Sequence, residues 1–102
     1  MSRHNLKPMS EIMEKLKSKG YTRDFNVFDD KMIMDHSKKV FSPEEIHIVD
    51  EYRFEGNTNP DDMSILYAIE TKSGEKGMIV NGYGTSANPE IDAFLLAAEK
   101  DN

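Results

Sequence analysis

The chain has 102 residues, no cysteine, and 13 Lys plus Arg against 19 Asp plus Glu, a net charge of −6. That length suits one domain with a modest core. The absence of cysteine excludes disulfides, thiolate metal sites and a cysteine nucleophile. An acidic chain repels phosphate backbones, so no nucleic-acid partner is expected. No stretch approaches the roughly 20 apolar residues of a membrane span, and no apolar run of a secretory leader follows Met1–Pro8. The expectation is a cytoplasmic protein without a membrane partner. Residues 1–8 are expected to be a disordered N-terminal segment, and 9–102 a single domain.

In chain order, Met9, Ile12, Met13 and Leu16 have the i, i+3, i+4, i+7 spacing of one buried helical stripe. Lys15, Lys17 and Lys19 suit the negative end of the helix dipole, and Gly20 suits the position just past it, so a helix is predicted over about 9–19. Its basic face is expected to be solvated. Asp24–Phe28 and Lys31–Asp35 then read as a short hairpin around Asp29-Asp30, followed by a polar loop, His36–Lys39. Ser42-Pro43-Glu44-Glu45 carries N-cap, N1 and capping-box residues for one helical turn.

A strand is predicted over Ile46–Glu55, with Ile46, Ile48, Tyr52 and Phe54 on one face and His47, Val49, Glu51, Arg53 and Glu55 on the other. Asp50 interrupts the apolar face, which predicts a bulge or an exposed edge there. Gly56–Asp62 is turn chemistry throughout. Met63–Ile69 is apolar on both faces, as in a covered central strand. Gly77–Tyr83 is a last strand whose glycines predict a bulge or a close backbone approach. Asn88 as cap and Pro89 at N1 open a second helix over about 89–100 that buries Ile91, Phe94, Leu95 and Ala98. The expected fold is α+β: a single two-layer domain with a mostly antiparallel sheet of about five strands and two helices, in the order α-β-β-β-β-β-α. Both helices are placed on one sheet face.

Glu51, Arg53 and Glu55 share a face by alternation. Arg53 is then either an anion clamp oriented by carboxylates or an ion pair on a solvated face. Asp61 and Asp62, with Glu55 across the loop and the carbonyls of Asn57 and Asn59, form a candidate set for a hard cation, although they also serve as turn residues. His4, His36 and His47 have no metal-box spacing. Gly82-Tyr83-Gly84-Thr85-Ser86 follows an apolar run as phosphate cradles do, without a Walker lysine. The methionines Met9, Met13, Met32, Met34, Met63 and Met78 are expected core filler.

Tyr52–Gly56, Pro60–Asp62, Leu66–Ile69, Lys76-Gly77, Asn81–Gly84 and Gly20–Asn26, in this order over about residues 10–98, resemble a group of short uncharacterised bacterial proteins. Some of that group carry the label phosphoribosylpyrophosphate synthetase. Such a synthetase is much longer, with ATP and pentose-phosphate loops that have no counterpart here, so the label is not carried over. The resemblance implies a compact family domain and assigns no catalytic residue.

The function expected is a non-enzymatic binding or regulatory module, monomeric or weakly dimeric, for a protein or small-molecule partner. The residues placed at its site are Arg53, Glu55, Asn81 and Tyr83, and no cofactor is expected. The alternative is a small metal-dependent enzyme acting on a phosphorylated metabolite, with Glu55, Asp61 and Asp62 holding a divalent cation.

Overall fold

The computed structural model describes residues 9–35, 39–54, 64–82 and 88–101, apart from the side chains of Lys100 and Asp101. The elements are α1 (Met9–Ser18), β1 (Arg23–Phe28), β2 (Lys31–Met34), β3 (Val40–Phe41), a 3-10 turn (Pro43–Glu45), β4 (Ile46–Phe54), β5 (Ser64–Thr71), β6 (Lys76–Gly82) and α2 (Pro89–Asp101). The expected N-terminal segment 1–8, the loop His36–Lys38 and the turn Gly56–Asp62 lie outside the described residues. Among those that are described, no helix is long and apolar enough to cross a membrane.

The α+β class, the helix near each end of the order and the mostly antiparallel sheet hold. The sheet has six strands, not about five, in the order β3-β2-β1-β6-β5-β4. The added strand is β3, only two residues long and too short for any alternation to announce it. Two antiparallel meanders, β1-β2-β3 and β4-β5-β6, join through a parallel contact between β1 and β6.

Local chemistry explains the ends. Gly20 has φ 101°, and the Tyr21 and Gly20 amides donate to the Leu16 and Lys17 carbonyls, each at 3.0 Å. This is the paired bonding that terminates a helix on a left-handed glycine. Asp29 and Asp30 have φ 55° and 63°, the double left-handed pair that matches hairpin twist and that aspartate tolerates. In the 3-10 turn, the Glu45 carboxylate accepts from the Ser42 amide at 2.8 Å and from its hydroxyl at 3.1 Å. Those two bonds hold its pKa below the ordinary value.

The connection from β3 to β4 dictates the sheet's shape. These strands are opposite edges, yet only Ser42–Glu45 joins them. The chain from Phe41 to Ile46 reaches at most about 17 Å. The edges of a flat six-stranded sheet would stand about 24 Å apart. The sheet therefore curls, and because the 3-10 turn packs on α2, it curls around that helix. The Lys72 amide donates to the Glu45 carbonyl at 2.8 Å and extends the β4–β5 ladder by one bond. A tie across the sheet comes from Lys39, just before β3, whose Nζ meets Oε2 of Glu75 in the β5–β6 turn at 2.8 Å. The Glu75 carboxylate also accepts from the Thr71 hydroxyl at 2.7 Å and from Ser73. Together the bonds from Lys39, Ser73 and Thr71 pull its pKa from 4.5 to about 2.

The concave face holds the main core. Phe25, Val27, Met32, Met34, Phe41, Ile46, Ile65, Tyr67, Ile69 and Ile79 from the sheet meet Ile91, Phe94, Leu95 and Ala98 of α2. Each large apolar side chain so buried contributes about 1.5–3 kcal/mol. The convex face carries a smaller cluster, Ile12 and Leu16 of α1 against Leu66, Ala68 and Met78, with Tyr52 and Phe54 packed beside it. The helices thus take opposite faces and do not share one. A single helix already fills a sheet this strongly curled, which leaves α1 the outside. Beyond α1, no described helix packs on the convex face over β1–β3, and Phe28 is 69% exposed there.

The predicted faces of β4 need a second correction. The register steps from Ile48↔Ile69 to Asp50↔Ala68, so Val49 is an extra, bulged residue. The bulge expected at Asp50 is therefore present, and it turns the strand over. Ile46 and Ile48 face α2, whereas Tyr52 and Phe54 face α1, and Glu51 and Arg53 come to the concave side.

Two predictions follow from these constraints. A Cβ at Gly77 would meet the Arg23 carbonyl oxygen and lie 2.7 Å from Arg23 Cβ, so the parallel β1–β6 contact needs glycine there. Gly77→Ala should lower unfolding stability in urea by about 1–3 kcal/mol. Glu75 has a lower pKa folded than unfolded, so its contribution is present above pH 4.5 and fades as pH falls toward 2. Unfolding midpoints measured from pH 7 to pH 2 should show the gap between the native protein and Glu75→Gln closing across that window.

Candidate functional site: the cleft between α2 and β4

Arg53 and Asn81, both expected at the site, are register partners of the same residue, Ile65, one from each side. They therefore stand on the concave face at one end of the sheet. Glu55 and Tyr83, the other two expected ligand residues, lie outside the described residues, as do Asp61 and Asp62 of the proposed metal set. Among the described residues, no group of three or more His, Asp or Glu side chains is placed to hold a metal ion.

Asn81 is a buried polar residue, 2% exposed, and it is fully engaged. Its amide nitrogen donates to Asp92 Oδ1 at 2.7 Å, and its amide oxygen accepts from the Asn88 backbone at 2.9 Å. Asn88 Oδ1 in turn accepts from the Glu90 amide at 2.9 Å, capping α2. Asn81 thus pins the start of α2 to β6. Sequence reasoning found the residue but not this purpose, since Asn88 and Asp92 are brought to it by the fold.

Tyr67 lies between these two positions. It pairs with Glu51 on β4 and with Ile79 on β6, and it is 8% exposed. No buried side-chain oxygen or nitrogen among the described residues lacks a partner. The Tyr67 hydroxyl has no hydrogen bond to any of them, so the oxygen reaches the surface. Burial raises its pKa first. The charges of Glu51, Asp92 and Glu99 raise it further, and Arg53 opposes them. Glu51 and Arg53 stand on the outer strand β4; Asp92 and Glu99 stand on α2, seven residues apart and so on one helical face about 10 Å long. Arg53 Nη2 lies 3.5 Å from Glu51 Oε2, an exposed pair of small energetic weight.

Outside this cleft, an open groove of about 440 Å³ runs along β4 between Asp50, Glu51, Tyr52 and Arg53. Tyr52 is kept protonated by burial first and then by its hydrogen bond to Asp50. A smaller apolar recess of about 190 Å³, between Asp30, Pro43, Ala93, Phe94 and Ala97, lies beside α2 and offers little polar chemistry.

The surface beside Tyr67 therefore presents its hydroxyl, Glu51 and Arg53 on β4, and Asp92 where α2 is joined to Asn81. It can bind and orient a polar group. Tyr67 was missed in the sequence because it sits within an apolar run, where a tyrosine reads as core. Glu51 was noted only as a partner for Arg53. Comparison of the chain with protein-family models, with curated proteins and with solved structures gives no match in any of the three.

Asn81→Ala would strip partners from the Asp92 carboxylate and the Asn88 amide at once. It should destabilise the protein by about 2–3 kcal/mol in urea unfolding and speed amide exchange in the first turn of α2.

Proposed function

We propose that the protein is a non-enzymatic binding module that holds a small-molecule or protein partner on the surface where α2 meets β4. One observation carries this. The Tyr67 ring is buried, while its hydroxyl reaches the surface without a hydrogen bond to any described residue, beside its cross-strand partner Glu51. A polar atom left over at the mouth of a core is what a ligand would complete. Curled sheets lend themselves to this use, since the helix that fills the curve leaves a seam against the outer strand.

The open groove along β4 continues the cleft outward through Glu51 and Arg53 and gives a partner further surface. The likeness to the short bacterial proteins belongs to the same proposal: they would share this cleft as a family domain of cytoplasmic proteins, monomeric or weakly dimeric.

Tyr67→Phe tests the assignment. The hydroxyl makes no bond to any described residue, so its removal should change unfolding stability by less than about 0.5 kcal/mol. It should weaken any bound partner by about 1 kcal/mol, the usual worth of one hydrogen bond. A ¹⁵N–¹H titration series with metabolites and with cell-extract fractions should place the shifts at residues 51–53, 67, 81 and 92–99. A saturable ligand whose shifts avoid that set, and whose affinity ignores Tyr67→Phe, would overturn the proposal.

A further inference from the structure

We propose that two copies of this chain pair through the outer edge of β4, antiparallel about a two-fold axis at Tyr52, so that Glu51 of each copy stands opposite Arg53 of the other. This goes beyond the surface beside Tyr67: it concerns the outer side of the strand and names a second copy as what pairs with it.

β4 is an edge strand, and a sheet edge is a template for pairing with another chain. The open groove of about 440 Å³ runs along it, and the described residues that line that groove, Asp50, Glu51, Tyr52 and Arg53, all belong to β4. The backbone directions follow from the ladder. The Lys72 amide bonds to the Glu45 carbonyl, so the even-numbered residues of β5 turn their backbone groups toward β4. By register, their partners Asp50, Tyr52 and Phe54 turn inward to β5. Glu51 and Arg53 therefore carry their amides and carbonyls to the outer side. The Glu51 amide donates to the Asp50 carboxylate at 2.9 Å, a local bond that an outward amide can make and that a second strand would replace.

The charge pattern selects a second copy as the occupant. Glu51 and Arg53 share one face of the strand, with side chains 42% and 62% exposed and 3.5 Å apart. In antiparallel pairing about Tyr52 they meet each other twice, once on each side of the axis. Both face outward, so each meeting is a hydrogen-bonded pair, and Tyr52 lies beside Tyr52 of the partner subunit in the closer, non-bonded position. The four side chains then form a square of alternating charge, and opposite charges across a strand pair are favourable. Other registers lose this. A one-residue slip sets outward backbone groups against inward ones, and a two-residue slip sets Glu51 against itself or Arg53 against itself. The contact is weak by construction. Asp50–Phe54 supplies five residues a side, against about 20–30 in a stable interface. Two chains of net charge −6 also repel at a distance.

The test is sedimentation equilibrium on the full chain, from about 10 μM to about 1 mM protein in about 0.15 M salt. The mass should rise from one chain toward two across that range. Glu51→Arg and Arg53→Glu should each weaken the dimer about 10-fold, because like charges then meet across the axis. The double swap Glu51→Arg with Arg53→Glu should restore it to within about 3-fold, since the square of charges is rebuilt with its signs exchanged. An equimolar mixture of the two single variants should form a mixed dimer that neither forms alone. A mass of one chain at every concentration overturns the proposal. So does a dimer that ignores both reversals, or one that the double swap and the mixture both fail to restore, since its contact then lies elsewhere. Any of these failures leaves the surface beside Tyr67 to be judged by its own ligand titration, run on the dilute single chain.

Discussion

Four residues, Ser42–Glu45, have to carry the chain from one edge of a six-stranded sheet to the other, and most of the structure follows from that limit of reach. A flat sheet is out of range, so the two meanders close toward each other. Closing creates a concave face that must be filled, and α2 fills it with Ile91, Phe94, Leu95 and Ala98. Local bonds fix the segments around the closure. The Glu45 carboxylate caps the bridge at Ser42, the Glu45 carbonyl extends the β4–β5 ladder to the Lys72 amide, and Glu75 in the β5–β6 turn gathers Lys39, Thr71 and Ser73. These are modest interactions individually. They matter because each fixes the position of a segment that the core then packs against.

The bulge at Val49 is the second constraint, and it links fold to site. Without the extra residue, strand alternation would send Asp50 into the α2 core and turn Glu51 and Arg53 toward α1. With it, the apolar start of β4 serves the inner core, the aromatic end serves the outer cluster, and the charged pair arrives beside Tyr67. One inserted residue thus lets a single strand contribute to two cores and to a polar cleft. Edge strands tolerate such insertions because they have hydrogen-bond partners on one side only, and β4 is an edge.

Much of the fold was legible, and what was not has identifiable causes. Both helices were readable from their stripes and their caps, because Gly20, Asn88 and Pro89 act locally. The hairpin at Asp29-Asp30 was readable despite poor turn residues, since the flanking runs alternate. The close approach at Gly77 showed as a glycine inside a strand. Two things were hidden: β3, which exists only through pairing with β2, and the placing of α1 and α2 on opposite faces, which follows from curvature. The strand faces of β4 were misassigned although the bulge itself was foreseen, because a bulge reverses every side chain beyond it and the sequence does not say which residue is the extra one. Of the site, Arg53 and Asn81 were named and do converge, but Tyr67, Asp92 and Glu99 meet them only through register and helix docking.

Asn81 and Tyr67 show how polar groups on one face divide between architecture and recognition. They stand on neighbouring strands, and both are largely buried. Asn81 has its donor and acceptor both used, by α2 and its cap, and it therefore works as a joint. Tyr67, one cross-strand pair along the same face, carries its hydroxyl to the surface and bonds to no described residue, beside Glu51. A core that merely needed volume there would be served as well by phenylalanine, which carries no hydroxyl to desolvate. The cost of keeping the hydroxyl is small while water can reach it, and it becomes useful only when something other than water arrives. That difference between an amide held inside the fold and a phenol whose hydroxyl reaches the surface is why the proposed binding surface is placed where α2 meets β4 and not over β1–β3.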